Sequence, residues 1–236
     1  MSEGILARRV LVESCSSTQD LAWQYAPPCF VQARVQLAGR GRGAGRSWYS
    51  PAGGVYLSYH FLVEDPLGLS LLGGLAVVRC LRRRSLAAWL KWPNDVYLEG
   101  RKLAGVLPDV RWSGQQCQGA VLGLGLNVRV ENLPAEACSL HEWIGDVQVD
   151  SLGQELMAEL EALVDQHRQL GLRAYLEEVR ECSLPAGTLV EYSQQGRLCQ
   201  GRVVGLHEQG WLLLEGQPPL VQVDWLRAPH FLPPAT

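Results

Sequence analysis

Between Gly39 and Trp48 the chain reads Gly-Arg-Gly-Arg-Gly-Ala-Gly-Arg-Ser-Trp, a run that neither a helix nor a strand accommodates. Glycine loses the most backbone freedom on ordering, and its use is to reach positive φ or to let a ligand approach the main chain. Arginine carries a rigid fork of donors that matches carboxylate and phosphate geometry. Several such forks on a flexible backbone, with no acidic residue beside them, suit a loop that wraps an anion. Strand-like runs on either side, Phe30 to Ala38 and Val55 to Val63, anchor both its ends. Taken alone, the loop fits equally well an exposed Arg-Gly segment that touches RNA.

A length of 236 residues fits one large domain, or one large and one small. A net charge of −3 argues against a generally basic nucleic-acid binder, since positive charge is local to the loop and to Arg82, Arg83 and Arg84. No apolar run is long enough to span a bilayer, and the N-terminus shows no signal-peptide pattern. The cysteines, at 15, 29, 80, 117, 138, 182 and 199, stand singly and form no CxxC pair. They read as reduced thiols of a cytoplasmic protein, without a zinc or thioredoxin-type site.

Along the chain, Ile5 to Glu13 reads as a strand, and Ser16-Ser17-Thr18-Gln19 has capping-box spacing for a helix running to Tyr25. Leu69 to Leu81 repeats apolar residues at helical spacing and ends in the arginine cluster, expected as a solvated helix end. Val96 to Leu98 and Arg101 to Val106 read as strands around a two-residue Glu99-Gly100 turn. That turn sets Tyr97 opposite Lys102 and Asp95 opposite Ala104, with Asp95 and Lys102 projecting from one surface. A metal-binding carboxylate and an anion-binding ammonium would then share a pocket; the alternative is an ordinary surface salt bridge. In the strand Ala120 to Val130, Gly123, Gly125 and Asn127 share a face, leaving room for a flat ligand or for a closely packed helix. Glu131 to Trp143 reads as a mobile loop. Leu152 to Leu170 and Gly171 to Val179 read as helices, with His167 a structural residue on the apolar face. From Ser183 onward, short strands (Thr188 to Tyr192, Leu198 to Leu206, Trp211 to Glu215, Leu220 to Trp225) separated by Gln/Gly-rich turns predict a small antiparallel barrel.

Four motifs in this order resemble the biotin protein ligases, or biotin–[acetyl-CoA-carboxylase] ligases. They are Ser17-Thr18-Gln19; Gln36 with Gly39 to Trp48; Lys91-Trp92-Pro93-Asn94-Asp95 followed by Lys102-Leu103-Ala104-Gly105; and Gly123-Leu124-Gly125-Leu126-Asn127. The resemblance covers nearly the whole chain. It implies an α/β (α+β) fold, a mixed central sheet with flanking helices followed by an SH3-like β-barrel, with the catalytic domain at 1–182 and the small domain at 183–236. It also implies ATP, biotin and Mg²⁺, and transfer of biotin through biotinyl-5′-AMP to a lysine of the biotin carboxyl carrier protein of acetyl-CoA carboxylase.

By that resemblance Ser17, Thr18, Gln19, Gln36, Gly39, Gly41, Gly105 and Gly123 serve biotin. Arg40 and Arg42 close over biotin and the adenylate. Lys102 is the principal catalytic residue, with Arg40 and Arg42. Arg42, Arg46, Trp48, Lys91, Asn94, Asp95 and Asn127 face the nucleotide, and Asp95 and Asn127 its metal. The extra residue in Gly43-Ala44-Gly45 departs from the family loop, and Leu133 to Trp143 matches the family poorly. Only about 13 residues precede Ser14, too few for a helix-turn-helix domain, so a form without DNA binding is expected. A lipoate or octanoate ligase or transferase remains the alternative enzyme, although those lack the Gly-Arg-Gly-Arg loop, and an Arg-Gly RNA-binding module the alternative of another class. A homodimer through edge strands near the loop is left open.

A glycine-rich backbone orders when an anion offsets its entropy cost. Trypsin cleavage between Arg40 and Arg46 is therefore expected to slow when biotin and ATP are added, and equal cleavage with and without them contradicts this.

Overall fold

The computed structural model describes residues 6–43 and 45–228. The expected strand start at Ile5, Ala44 of the Arg-Gly loop and the end of the expected small domain at 229–236 lie outside the described residues. A seven-stranded mixed sheet forms the frame. Its strands are β1 (Arg8–Cys15), β2 (Cys29–Gln36), β3 (Gly54–Phe61), β4 (Ala88–Lys91), β5 (Asp95–Leu98), β6 (Arg101–Ser113) and β7 (Gln116–Asn127), in the order β1-β2-β3-β7-β6-β5-β4. β1 and β2 are parallel because the chain crosses over through α1 (Thr18–Ala22); the other neighbours are antiparallel. The β5–β6 turn places Glu99 at φ 47 and Gly100 at φ 74, the backbone whose twist suits a two-residue hairpin.

β3 is buried at every position, so both faces of the sheet are covered. Val55, Leu57, Tyr59 and Phe61 join the main core with leucines of α2 (Leu69–Arg82) and α3 (Val149–Leu170). The intervening positions meet the α1 side, where the Ser58 and Thr18 hydroxyls lie 2.8 Å apart. Gly73 lets α2 lie close on the sheet, since a Cβ there would sit 2.6 Å from Val106 Cγ1. His167 is buried between Tyr175 Oη (2.8 Å) and the Asp65 carbonyl (2.7 Å), the structural role expected of it.

Several expectations need correction. α1 is shorter than expected, and the Ser17 hydroxyl makes no capping bond. The arginine cluster is not simply solvated. Arg79 pairs with Glu159 and with Glu178 of α4 (Leu176–Glu181), Arg83 with Glu159 and Arg84 with Glu155, stapling α2 to α3 and α4. A bulge at Val96/Tyr97 sets Asp95 opposite Gly105, not Ala104, while Tyr97 still faces Lys102. The segment expected as a mobile loop is tied down: Lys102 N donates to Glu136 O, Cys138 N to Lys102 O and Val130 N to the Ser139 hydroxyl, and Leu140–Glu142 form a 3₁₀ turn closed by a capping box at Ser139.

The C-terminal segment forms a four-stranded antiparallel sheet, β8 (Leu189–Gln194), β9 (Arg197–Leu206), β10 (Leu212–Leu214) and β11 (Trp225–Arg227), ordered β10-β9-β8-β11. The expected strand from Leu220 shrinks to one bridge, Leu220 to Leu212, and pairing resumes only at Trp225. The sheet's apolar side chains, among them Val190, Val203, Leu212 and Leu226, belong to the main core cluster. Trp92 Nε1 donates to Gly210 O at 3.0 Å across the same contact. Among the described residues no helix is long and apolar enough to cross a membrane.

The hydrogen bonds from Arg84 hold the Glu155 carboxyl below the usual carboxylate range. A carboxylate depressed on folding adds stability that is complete above its unfolded value and fades as pH falls through the lower folded one. Melting temperature is thus expected to drop on acidification below about pH 4.3. Glu155→Gln should melt lower than the parent at neutral pH and lose less on acidification, as followed by circular dichroism.

Candidate active site

The bulge-bearing β5–β6 hairpin, the Arg-Gly loop, the start of α1 and the glycine-bearing stretches of β6 and β7 enclose a cavity of about 220 Å³. The loop is itself a small hairpin: Arg40 bridges Ser47, Gly41 N donates to Arg46 O and Trp48 N to Gly39 O, each at 2.8 Å. Arg40, Gly41, Arg42, Arg46 and Trp48 face the cavity. Gly39 lies at the loop base instead, where a Cβ would sit 2.6 Å from both Ser50 Oγ and Trp48 O. Arg40 reaches Asp20 (3.1 Å) and Asp109 (2.9 Å). Arg42 crosses to the C-terminal segment and donates to the main-chain carbonyls of Val223 (2.7 Å) and Asp224 (3.3 Å). Burial lowers the Arg42 guanidinium from its ordinary value, opposed by the charges of Asp95 and Asp224. A desolvated cation of this kind gains most from an arriving anion.

The glycine-lined face of β7 does leave room for a flat group, and Trp48 lies there. A Cβ at Gly125 would stand 2.4 Å from Trp48 Nε1, and one at Gly105 3.1 Å from its Cζ3. Lys102 Nζ sits 5.2 Å from the Trp48 ring centroid. Gly123 is covered by Gln19, whose Nε2 donates to Leu107 O at 2.8 Å. Thr18 donates through its amide (2.8 Å) and hydroxyl (3.0 Å) to Gln36 Oε1, and Gln36 Nε2 donates to Ser50 Oγ. Thr18, Gln19 and Gln36 line the cavity; Ser17 does not, and its buried hydroxyl has no hydrogen-bond partner.

Asp95 is the hub on the hairpin side. Its Oδ1 lies 2.6 Å from Lys102 Nζ and its Oδ2 3.4 Å from Lys91 Nζ. Lys91 also donates to Tyr97 Oη (3.0 Å) and to Leu226 O (2.8 Å). The pair is thus part of the cavity wall, and the alternative of an ordinary surface salt bridge falls: the Asp95 side chain is only 14% exposed. Asn94 lines the cavity and donates to Val106 O at 3.0 Å. Asn127 stands outside that lining, and its Nδ2 donates to Cys138 O at 3.1 Å.

These residues do not fit a resident Mg²⁺. Both Asp95 oxygens face ammonium groups, and among the described residues no group of three or more acidic, histidine or cysteine side chains could hold a metal. Sequence reasoning missed Trp225 and Leu226, which complete the cavity wall, and the anchoring of Arg40 by Asp20 and Asp109. No local signal in the sequence links such distant positions.

Adding a methyl at Gly125 must push the indole off its shelf, because the main chain beneath cannot yield. Gly125→Ala is expected to speed tryptic cleavage of the loop, with a global stability cost limited to the about 1–3 kcal/mol typical of overpacking. Unchanged cleavage, measured beside a thermal melt, would show that the indole does not hold the loop.

The family model described as "Biotin/lipoate A/B protein ligase family" matches residues 11–127. The bifunctional ligase/repressor BirA of Escherichia coli is 33% identical over 195 residues, covering 78% of this chain and 60% of that protein. The biotin–[acetyl-CoA-carboxylase] ligase of Mycobacterium tuberculosis is 34% identical over 224 residues, covering 80% of this chain and 81% of that one. The biotin protein ligase from Aquifex aeolicus, solved in complex with biotin and ATP, superposes with a TM-score of 0.82 at 26% identity, over 94% of this chain and 100% of that chain. The chain thus spans 60% of the bifunctional E. coli relative but most of the mycobacterial one, and it belongs to the biotin/lipoate A/B protein ligase family.

Proposed function

We propose that this protein joins biotin to AMP at the expense of ATP and passes the biotinyl group to a lysine of a biotin carboxyl carrier protein. The observation that carries the reading is convergence: the loop arginines Arg40, Arg42 and Arg46 and Lys102 of a distant hairpin face one cavity floored by the Gly105 and Gly125 main chain. The structural likeness to a ligase solved with biotin and ATP, and the mycobacterial relative named for acetyl-CoA carboxylase, support the same substrates and partner. An RNA-binding reading is disfavoured because Arg40 is engaged by Asp20 and Asp109 and Arg42 by two main-chain carbonyls at the cavity wall.

The chemistry asks for charge neutralisation. Two unit charges 4 Å apart repel by about 4 kcal/mol at a surface-like dielectric, so a carboxylate approaches a phosphate only where cations gather both. In the first step a biotin carboxylate oxygen attacks the α-phosphorus of ATP and the bond to pyrophosphate breaks. Lys102, presented by Asp95, is assigned the carboxylate and α-phosphate, and Arg42, released from its two carbonyls, the adenylate. In the second step the carrier lysine attacks the acyl carbon and AMP leaves. Mg²⁺ belongs to the ATP substrate here. The reading assigns this chemistry to residues 1–182 and a supporting domain to 183–236, whose Trp225 and Leu226 reach the cavity.

Incubation with ATP, Mg²⁺, biotin and a carrier domain is expected to add one biotinyl mass to the carrier; no addition sinks the reading. Lys102→Met should lower biotin-dependent pyrophosphate release by about 10²–10³-fold, the range for losing one positioned donor to developing charge. Its melting temperature should move little, whereas release at the parent rate would remove Lys102 from the role.

A further inference from the structure

Lysine is nearly absent from this chain. Of its 21 lysine and arginine residues, only Lys91 and Lys102 are lysines. Both are in the cavity wall and both lean on Asp95. Every other basic position, on the exposed surface as in the loop, carries a guanidinium. The two cations are interchangeable for solubility and for surface ion pairs, but not as nucleophiles: a lysine amine can be acylated, whereas arginine stays protonated and delocalised.

We propose that the protein is built without a reactive lysine acceptor of its own, so that an acyl adenylate formed in its cavity is passed to a lysine brought by another protein rather than to one of its own. The inference rests on the biotin-adenylating reading above. The reaction to be avoided is specific. A neutral side-chain amine attacks the acyl carbon of biotinyl-5′-AMP, the carbon–oxygen bond to phosphate breaks, AMP leaves with the bonding pair and the nitrogen releases a proton to water. The product is an amide on the enzyme itself.

Composition removes that reaction from the surface, and geometry removes it from the cavity. Lys91 Nζ has three N–H donors and three acceptors around it: Tyr97 Oη at 3.0 Å, Leu226 O at 2.8 Å and Asp95 Oδ2 at 3.4 Å. Those contacts occupy its nitrogen. Lys102 faces the cavity but its Nζ lies 2.6 Å from Asp95 Oδ1, an ion pair that ties the nitrogen to the carboxylate rather than leaving it free for attack. Asp95 acts here as a positioning residue for two amines that must stay charged.

The test supplies synthetic biotinyl-5′-AMP to the purified full chain, without carrier, and maps biotinyl adducts to side chains by peptide mass spectrometry. Biotin-dependent pyrophosphate release with ATP is measured in parallel, so a failure of the enzymatic reading is seen separately. The parent is expected to carry no adduct on Lys91 or Lys102. Arg173→Lys and Arg197→Lys, both at exposed positions away from the cavity, should gain the mass of one biotinyl group at the introduced amine. Asp95→Asn should gain it on Lys91 or Lys102; Tyr97→Phe, a milder change that takes one acceptor from Lys91, should gain it on Lys91 if Asp95→Asn fails to fold. Adducts on Lys91 or Lys102 of the parent overturn the proposal. So does an Arg173→Lys or Arg197→Lys chain as clean as the parent, since the missing surface lysines would then protect nothing.

Discussion

A single carboxylate set between two ammonium groups organises the reactive side of this molecule. Asp95 holds Lys102 at 2.6 Å and Lys91 at 3.4 Å, and the three groups form a wall that carries one net positive charge. A lone buried ammonium would be costly to keep charged; the carboxylate between the two makes the arrangement tolerable. Arg42 adds a further desolvated cation, held meanwhile by two main-chain carbonyls. The cavity is therefore poised for anions by its own electrostatics before any substrate is considered. The bulge in the β5–β6 hairpin, with Leu103 of β6 as the extra residue, makes this possible, because it sets Asp95 opposite Gly105, which carries no side chain.

The rest of the fold holds that wall still. α2 presses on the sheet through Gly73, and the arginines that follow fasten it to α3 and α4. The segment after β7 pairs with the main chain of Lys102 through both its amide and its carbonyl, Lys102 N to Glu136 O and Cys138 N to Lys102 O. A lysine on a strand clamped in this way has little freedom at Cα, so its aim is set by the sheet and by Asp95 rather than by chance.

What was legible in the sequence was mostly local. The Glu99-Gly100 turn fixed the pairing of Tyr97 with Lys102, and helical spacing marked α2 and α3, because those features depend on neighbours in the chain. The glycine face of β7 signals space for a flat group or a closely packed helix, and an indole from the loop lies there. What could not be read was anything that depends on meeting a distant segment. Nothing near Arg42 announces that its guanidinium reaches residue 223, and nothing near Arg84 announces Glu155. The bulge at Val96 was equally hidden, since a regular hairpin was the simplest continuation of the turn. The segment from Glu131 looked mobile because its polarity is mixed, yet hydrogen bonds to β6 and to Val130 fix it.

The grip on the C-terminal segment has a consequence for how the two parts of the chain can diverge. Lys91 and Arg42 donate to the carbonyl oxygens of Leu226, Val223 and Asp224, groups that every residue type possesses. Of the side chains along that rim, Val223 and Leu226 are fixed in the core, while the half-buried Trp225 is left to change in shape and polarity with the visitor it must meet. The interlocking survives such drift so long as the backbone path is kept, leaving the edge of the cavity free to vary while its alignment stays put.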